Sequence, residues 1–575
     1  MKRRTFLHTS ASAALLASLG TLGRADESAS LPELVRDLIR ANDARIPALL
    51  ASQTTTPGAK GRGGVLNDYG FPTASGAAGL ILALSCAVVT KESKYHESPE
   101  VIAALRLALP YLLSAQHEDG TIDYFATNFR SPPDTAFVIE LMGPACALLR
   151  RSRHPELAAS AADATRFVLR AADGLVVGGV HTPNHRWIVC SALAWAHSLN
   201  PDPRYLKRID QWMAEKIDID PDGQYTEKST TVYSPAVDRA LITVARLLKR
   251  PELFDPVRRN LDMTLYYLHP DGEVVTEASL RQDRNQRTSA ARYYYAYRTL
   301  ALIDGDGRFA AVARHVERTE PASLTGELAS FLVEPDLARP LPADAPLPTN
   351  YARVFSYSAL ARIRRGPISA TVLGRNTTVL TYRKGAAILE ALRLATAFFG
   401  KGQFTSETLE VREGTTYVLR QVLTGPYFQP LSDAQIASGE HVKMAPNGTL
   451  ANMGKAIRAE SNVQHLEAVV TVTESAGRFT LDFAIEGTEG VPVAIELAFR
   501  PGGKLEGVEA VPGLTDAFLL RSGQGRYRVG DDVIEFGPGF VDHTYTQIRG
   551  ALPRYGGPSV YLTGFTPFRQ TLTLR

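Results

Sequence analysis

Cysteine is scarce in this chain: three in 575 residues, Cys86, Cys146 and Cys190. Each falls in an apolar stretch of helical spacing, which speaks for buried thiols rather than a disulfide framework. Their scatter also argues against a zinc site. Charge imbalance is lacking as well. The 63 basic and 60 acidic residues leave a formal net charge of +3, so nothing points to nucleic acid or a membrane surface as a partner. Past the N-terminus no apolar run is long enough to span a bilayer. No cluster of metal-ligating side chains is visible, so no cofactor is expected, with a structural metal ion left open.

What is present is ordinary globular composition, 45% apolar and 21% charged, in a chain too long for one hydrophobic core. The start, Lys2-Arg3-Arg4-Thr5-Phe6-Leu7, an apolar stretch from Ala11 to Leu22 and then Gly23-Arg24-Ala25, has the order of an export signal and looks like a twin-arginine one. Residues 1–25 are therefore expected to be a leader, and the protein to be exported, periplasmic or secreted. Residues 26–335 read as a series of about ten helices with short connections. One connection recurs after a helix: His117-Glu118-Asp119-Gly120, Asp220-Pro221-Asp222-Gly223 and His269-Pro270-Asp271-Gly272. Asp-Gly is a turn signal, because glycine takes the positive φ and aspartate bonds nearby backbone. Such repetition predicts helical hairpins arranged around an axis, an (α/α) toroid or incomplete barrel, with a solenoid as the alternative. Residues 336–350, rich in Pro, Ala and Asp, read as a linker. From 351 to 575 the period changes to β-branched, alternating runs such as Leu466–Thr473 and Phe479–Ile485, which predict an antiparallel β-sandwich. The expected fold class is α+β multidomain.

The densest polar group is His181-Thr182-Pro183-Asn184-His185-Arg186-Trp187, directly before an apolar helical run. Folding needs none of these groups there, and a site for an anionic sugar could use all of them. About fifty residues on comes Asp222-Gly223-Gln224-Tyr225-Thr226-Glu227-Lys228-Ser229-Thr230-Thr231-Val232-Tyr233. A helical toroid, then a β-sandwich, with an Asn-His segment and an Asp-Gly-x-x-x-Glu-x-Ser run leading to a tyrosine, resembles the polysaccharide lyases of the heparinase II/III-like and alginate-lyase group. The Gly-Asp-Ser-Asp type of loop of such proteins is replaced here by Glu277-Ala278-Ser279-Leu280-Arg281-Gln282-Asp283-Arg284.

The resemblance implies cleavage of a uronate-containing glycan by β-elimination. Such an enzyme must stabilise the charge that builds on the uronate carboxylate as the α-proton leaves. Asn184 suits this, since an amide donates without ionising; the competing reading is a helix cap. His185 is a candidate base, and Tyr233 a candidate proton donor or base, with Tyr225 as fallback. Candidate substrate-binding residues are His181, Arg186 as a carboxylate fork, Trp187 as a stacking platform, Arg281 and Arg284, and more weakly Asn128 and Arg130. From the sandwich, His441, His465 or His543 could reach the cleft. The implied partner is an acidic polysaccharide. Two other readings stay open: a toroid glycoside hydrolase, for which Asp123, Asp134, Glu227 and Asp283 are the carboxylates on offer, and a non-catalytic exported glycan-binding protein.

Overall fold

A computed structural model describes residues 31–125, 127–439 and 455–575, with the side chain of Ala456 left aside. The expected leader and His441 lie outside the described residues. The helical part comprises α1 (Glu33–Ser52), α2 (Ala74–Val89), α3 (Pro99–Ser114), α4 (Pro132–Leu149), α5 (Pro155–Val177), α6 (His185–Leu199), α7 (Pro203–Ala214), α8 (Tyr233–Leu248), α9 (Phe254–Tyr267), α10 (Tyr294–Asp304), α11 (Gly307–Thr319) and the short α12 (Leu328–Val333). Their starts follow local chemistry. Thr73, Ser131, Asp202 and Asp306 each accept a backbone N–H of the first turn of α2, α4, α7 and α11, satisfying donors that a helix start leaves open.

Composition sorts the helices into two layers. α2, α4 and α6 are apolar on almost every side and pack on one another, with α6 against α8 and α8 against α10. α5 buries one stripe, including Leu157, Ala161, Ala164, Val168 and Ala171, and so forms an outer layer with α3, α7, α9 and α11. α12 lies against α2 and α4. The result is an (α/α) toroid of helical hairpins. Segments 53–73, 115–131, 178–184, 215–232 and 268–293 all lead from an outer helix into an inner one, and together they form one rim.

The repeated Asp-Gly turns are built alike. His117, Asp220 and His269 each donate their N–H to the carbonyl four residues on, at 2.8, 2.9 and 2.8 Å. Gly120, Gly223 and Gly272 have φ of +84°, +96° and +86°. A Cβ at Gly120 would stand 1.9 Å from the Arg170 carbonyl, and one at Gly223 2.5 Å from that of Arg259. Glycine is thus required twice over, for the left-handed backbone and for contact with the next outer helix.

After an extended stretch, 339–349, the strands of the two large sheets begin at Asn350. They form an eight-stranded and a nine-stranded sheet that enclose a second apolar core. Pairing in these sheets is antiparallel among the described residues, apart from Ala517–Leu519 beside Ser559–Phe565. The nine-stranded sheet meets the toroid rim. Buried Arg362 donates to the Tyr266 carbonyl at 3.0 Å and to Ser369 Oγ at 2.9 Å. Glu277 accepts from Thr371 and Thr381 at 2.8 and 3.0 Å. Arg500 forks onto Glu273 at 2.7 and 2.9 Å, the bidentate geometry that suits a guanidinium and a carboxylate. No described helix is long and apolar enough to cross a membrane, and the three cysteines are buried and free.

Candidate functional site

The rim segments ahead of α6 and α8 meet at one carboxylate. Asn184 is buried, and its Nδ2 donates to Glu227 Oε1 at 2.6 Å. The Glu227 Oε2 pairs with Arg281 Nε at 3.4 Å. The Arg281 guanidinium lies 5.3 Å from the centre of the Tyr233 ring, and Gln282 Nε2 donates to Tyr233 Oη at 3.0 Å. Asn184, Glu227, Arg281, Gln282 and Tyr233 therefore form one continuous chain of contacts. The helix-cap alternative for Asn184 does not hold: its side chain makes no cap bond, and its backbone is already helical. Its Oδ1 is buried without a hydrogen-bond partner among the described residues, as is His185 Nδ1.

His185 packs edge-on against His181 at 4.8 Å and Phe137 at 5.9 Å. Burial pushes its pKa down to about 4, helped by His181 and Arg281 and opposed by Asp134. The imidazole is thus neutral at neutral pH. His181 is exposed at the rim. Tyr233 is half-buried and opens α8, with its N–H donated to Ser229 Oγ at 3.1 Å. The fallback, Tyr225, is withdrawn from the rim: it is buried and donates to buried Asp238 at 2.8 Å. Burial, and then the Asp238 carboxyl, push its phenol far above the usual range.

Asp283 holds the loop in place. Fully buried, it accepts from Ser229 Oγ at 3.0 Å, from Thr231 N and Oγ1 at 2.9 and 3.1 Å, and from Ser279 Oγ. It joins the lead-in to Tyr233 to the loop that carries Arg281 and Gln282. Two of the expected sugar contacts are corrected by burial. Trp187 has no exposed surface and donates its indole N–H to Asp218 at 2.7 Å, so it offers no face to a sugar. Arg186 pairs with Glu215 and Asp218, both at 3.0 Å, and covers Trp187 at 4.5 Å; its fork is already occupied. Arg284 turns to the sheet, donating to Asn376 at 2.8 Å. Asn128 donates to Asp134 at 2.9 Å beside the α4 start. Arg130 faces Asp119 at 3.5 Å. His465 is exposed on the eight-stranded sheet, away from the sheet that meets the rim, and His543 is bonded to the Gly564 carbonyl at 3.0 Å.

Sequence reasoning missed Gln282 as a partner of Tyr233 and the ordering role of Asp283. It weighed Glu227 only as a hydrolase carboxylate, although Glu227 stands in the Asp-Gly-x-x-x-Glu-x-Ser run. It also passed over the aromatic surface of the rim ahead of α2 and α4, where Tyr69 and Phe129 are 82% and 72% exposed and Phe71 stacks on Phe125 at 4.0 Å. Among the described residues no group of three His, Cys, Asp or Glu is placed to hold a metal ion.

No protein-family profile matches the chain, and no curated protein matches its sequence. Solved structures do match its fold. A heparinase III aligns over 96% of this chain and 84% of its own, at 12% identity and a TM-score of 0.56. The Streptomyces coelicolor A3 chondroitin AC lyase, solved with chondroitin sulphate, aligns over 96% and 80%, at 14% identity and a TM-score of 0.57. A Paenibacillus xanthan lyase aligns over 94% and 55%, at 9% identity and a TM-score of 0.54. The fold is therefore the toroid-plus-sheet architecture that these polysaccharide lyases share.

Proposed function

We propose that the protein is a polysaccharide lyase that cleaves a uronate-containing glycan by β-elimination. The observation that carries this reading is the continuous Asn184–Glu227–Arg281–Tyr233 contact chain on the toroid rim. A uronate seated there would present its carboxylate to the second N–H of Asn184 and to neutral His185, both suited to a carboxylate that gains charge as the α-proton leaves. Tyr233 Oη accepts from Gln282, and among the described residues its own O–H has no acceptor. It is the group placed to exchange a proton with the sugar. In the proposed step, Tyr233 Oη takes the C5 proton as it gives up its own. The C5–H electron pair forms the C4–C5 double bond, the C4–O4 bond breaks, and the proton passes from Tyr233 to O4. The exposed rim aromatics offer planes for neighbouring pyranose rings.

Of the four carboxylates on offer to a hydrolase, Glu227 lies in the contact chain itself, and the other three are engaged by protein groups. Asp283 binds four donors, Asp134 is engaged with Ser131 and Asn128, and Asp123 pairs with His117 at 2.7 Å. The export reading of residues 1–25 belongs to the same proposal, since such polymers are met outside the cell. The test is a screen of uronate polysaccharides followed by the ultraviolet absorbance of unsaturated uronate ends. Reducing ends without that absorbance would establish hydrolysis, and binding without products would establish a glycan-binding protein.

A further inference from the structure

A second feature lies on the far end of the loop that orders Tyr233. A cavity of about 780 Å³ opens between the first turns of α8, the end of segment 268–293 and the 3₁₀ turn Pro321–Glu327. Its volume is within the range of roughly 300–1,000 Å³ typical of ligand pockets. Val232, which lines it, directly precedes Tyr233. The loop that gives Gln282 to Tyr233 lines the cavity a few residues later with Arg287, Ser289 and Arg292. The cavity and the candidate site therefore share both a helix start and a loop.

The charges on its wall are mostly matched internally. Arg239 pairs with Glu327 and lies 4.2 Å from the centre of the Tyr295 ring. Arg287 pairs with Glu390 at 3.0 Å. Glu273 is held by Arg383 and Arg500, each at 2.7 Å, and Glu320 accepts from Ser289 Oγ at 2.6 Å. Arg292 differs: it is exposed and, among the described residues, has no ion-pair or hydrogen-bond partner. A guanidinium without a partner at the mouth of a polar cavity is suited to an incoming anion.

We infer that this cavity is a subsite for the pyranose next to the one that is cleaved, and that Arg292 binds an anionic group, carboxylate or sulfate, on that residue. The inference rests on the proposed lyase reading for what the neighbouring sugar belongs to. It goes beyond that reading in requiring two adjacent acidic residues in the substrate. Glu320 would accept from the ring hydroxyls of the same sugar.

The experiment is calorimetric binding in a Tyr233→Phe background, in which turnover is expected to be slowed about 10²- to 10⁴-fold. The probes are hexasaccharides of glucuronate, mannuronate and galacturonate, together with chondroitin sulfate hexasaccharide and its desulfated form. Adding Arg292→Ala is expected to weaken binding of at least one homopolymeric or sulfated probe by about tenfold or more, the worth of one hydrogen-bonded ion contact. The desulfated probe, whose neighbouring sugar is neutral, is expected to keep its affinity. Loss confined to the homopolymers assigns a carboxylate to the cavity, and loss confined to the sulfated probe assigns a sulfate. Affinities unchanged by Arg292→Ala, an equal loss with the desulfated probe, or no binding of any probe would overturn the inference. Absorbance assays of the unsubstituted protein report on elimination separately, so a failed lyase reading and a failed subsite are told apart.

Discussion

Tyr225, in the rim segment 215–232, and Tyr233, at the α8 start directly after it, end in opposite environments. Tyr225 points into the toroid, buried, and donates to Asp238, itself buried and held well above the usual carboxylate range by burial. Tyr233 stays half-buried at the rim, accepts from Gln282 and lies under Arg281. The first geometry buries the O–H and ties it to a carboxyl; the second leaves it available beside a cation and a donor. The difference teaches that position relative to the α8 start, rather than residue type, decides which phenol could do chemistry.

The sharpest way to break this contrast is to remove each hydroxyl. Tyr233→Phe is expected to lower kcat on the preferred uronate polymer by about 10²- to 10⁴-fold, the range for a lost general acid or base. Tyr225→Phe should leave kcat intact and cost roughly 1–3 kcal/mol of stability, because Asp238 loses its donor. Rates from the absorbance assay and urea midpoints decide, and equal rate losses in the two variants would erase the distinction. Asn184→Ala should follow, with kcat reduced about 10²- to 10³-fold, as when one donor to a developing charge is lost. An unchanged rate would remove Asn184 from the site.

Asp283→Ala tests whether the rim around Tyr233 is ordered from behind. With the Ser229, Thr231 and Ser279 donors released, kcat should fall roughly ten- to a hundredfold through misplacement of Tyr233, and the urea midpoint should fall with it. A stability loss with full kcat would confine Asp283 to folding. A smaller effect is expected from pH. His185 has a pKa of about 4 in the fold against about 6.5 in an unfolded chain. Between these values the unfolded state holds more protons, so stability falls as pH drops from about 6.5 to about 4. His185→Gln should flatten the dependence of Tm on pH in that window, and coincident curves would show that His185 titrates freely. The smallest effect on activity is expected for Arg186→Ala, measured as KM, since its guanidinium already faces Glu215 and Asp218.

Much of the fold could be read from periodicity. The almost wholly apolar run Ala74–Val89 announced a helix buried on most sides, the run Pro155–Ala172 another helix of the series, and the Asp-Gly turns their joints. The alternating runs after the Pro-rich stretch announced sheets. The site was read less evenly. Asn184, His185 and Tyr233 stood out as polar groups at helix starts, and the fold brings all three to one rim. Trp187 and Arg186 stood out for the same reason, yet the aspartate that engages both, Asp218, is distant in sequence and carries no local signal. Gln282 and Asp283 sit in an irregular loop, where partners are chosen by tertiary contact and no periodicity reports them.

The Asp-Gly turns carry a consequence for how such a rim can change over time. Two of the three seat backbone directly on backbone, Gly120 against Arg170 and Gly223 against Arg259, so the spacing of those hairpins depends on two glycines and hardly on the side chains between turn and helix. Loop residues that do not touch these glycines can then change while the ring keeps its pitch. A scaffold gauged in this way can keep its form while its loops are rewritten, which fits a fold kept across chains only 9–14% identical to this one.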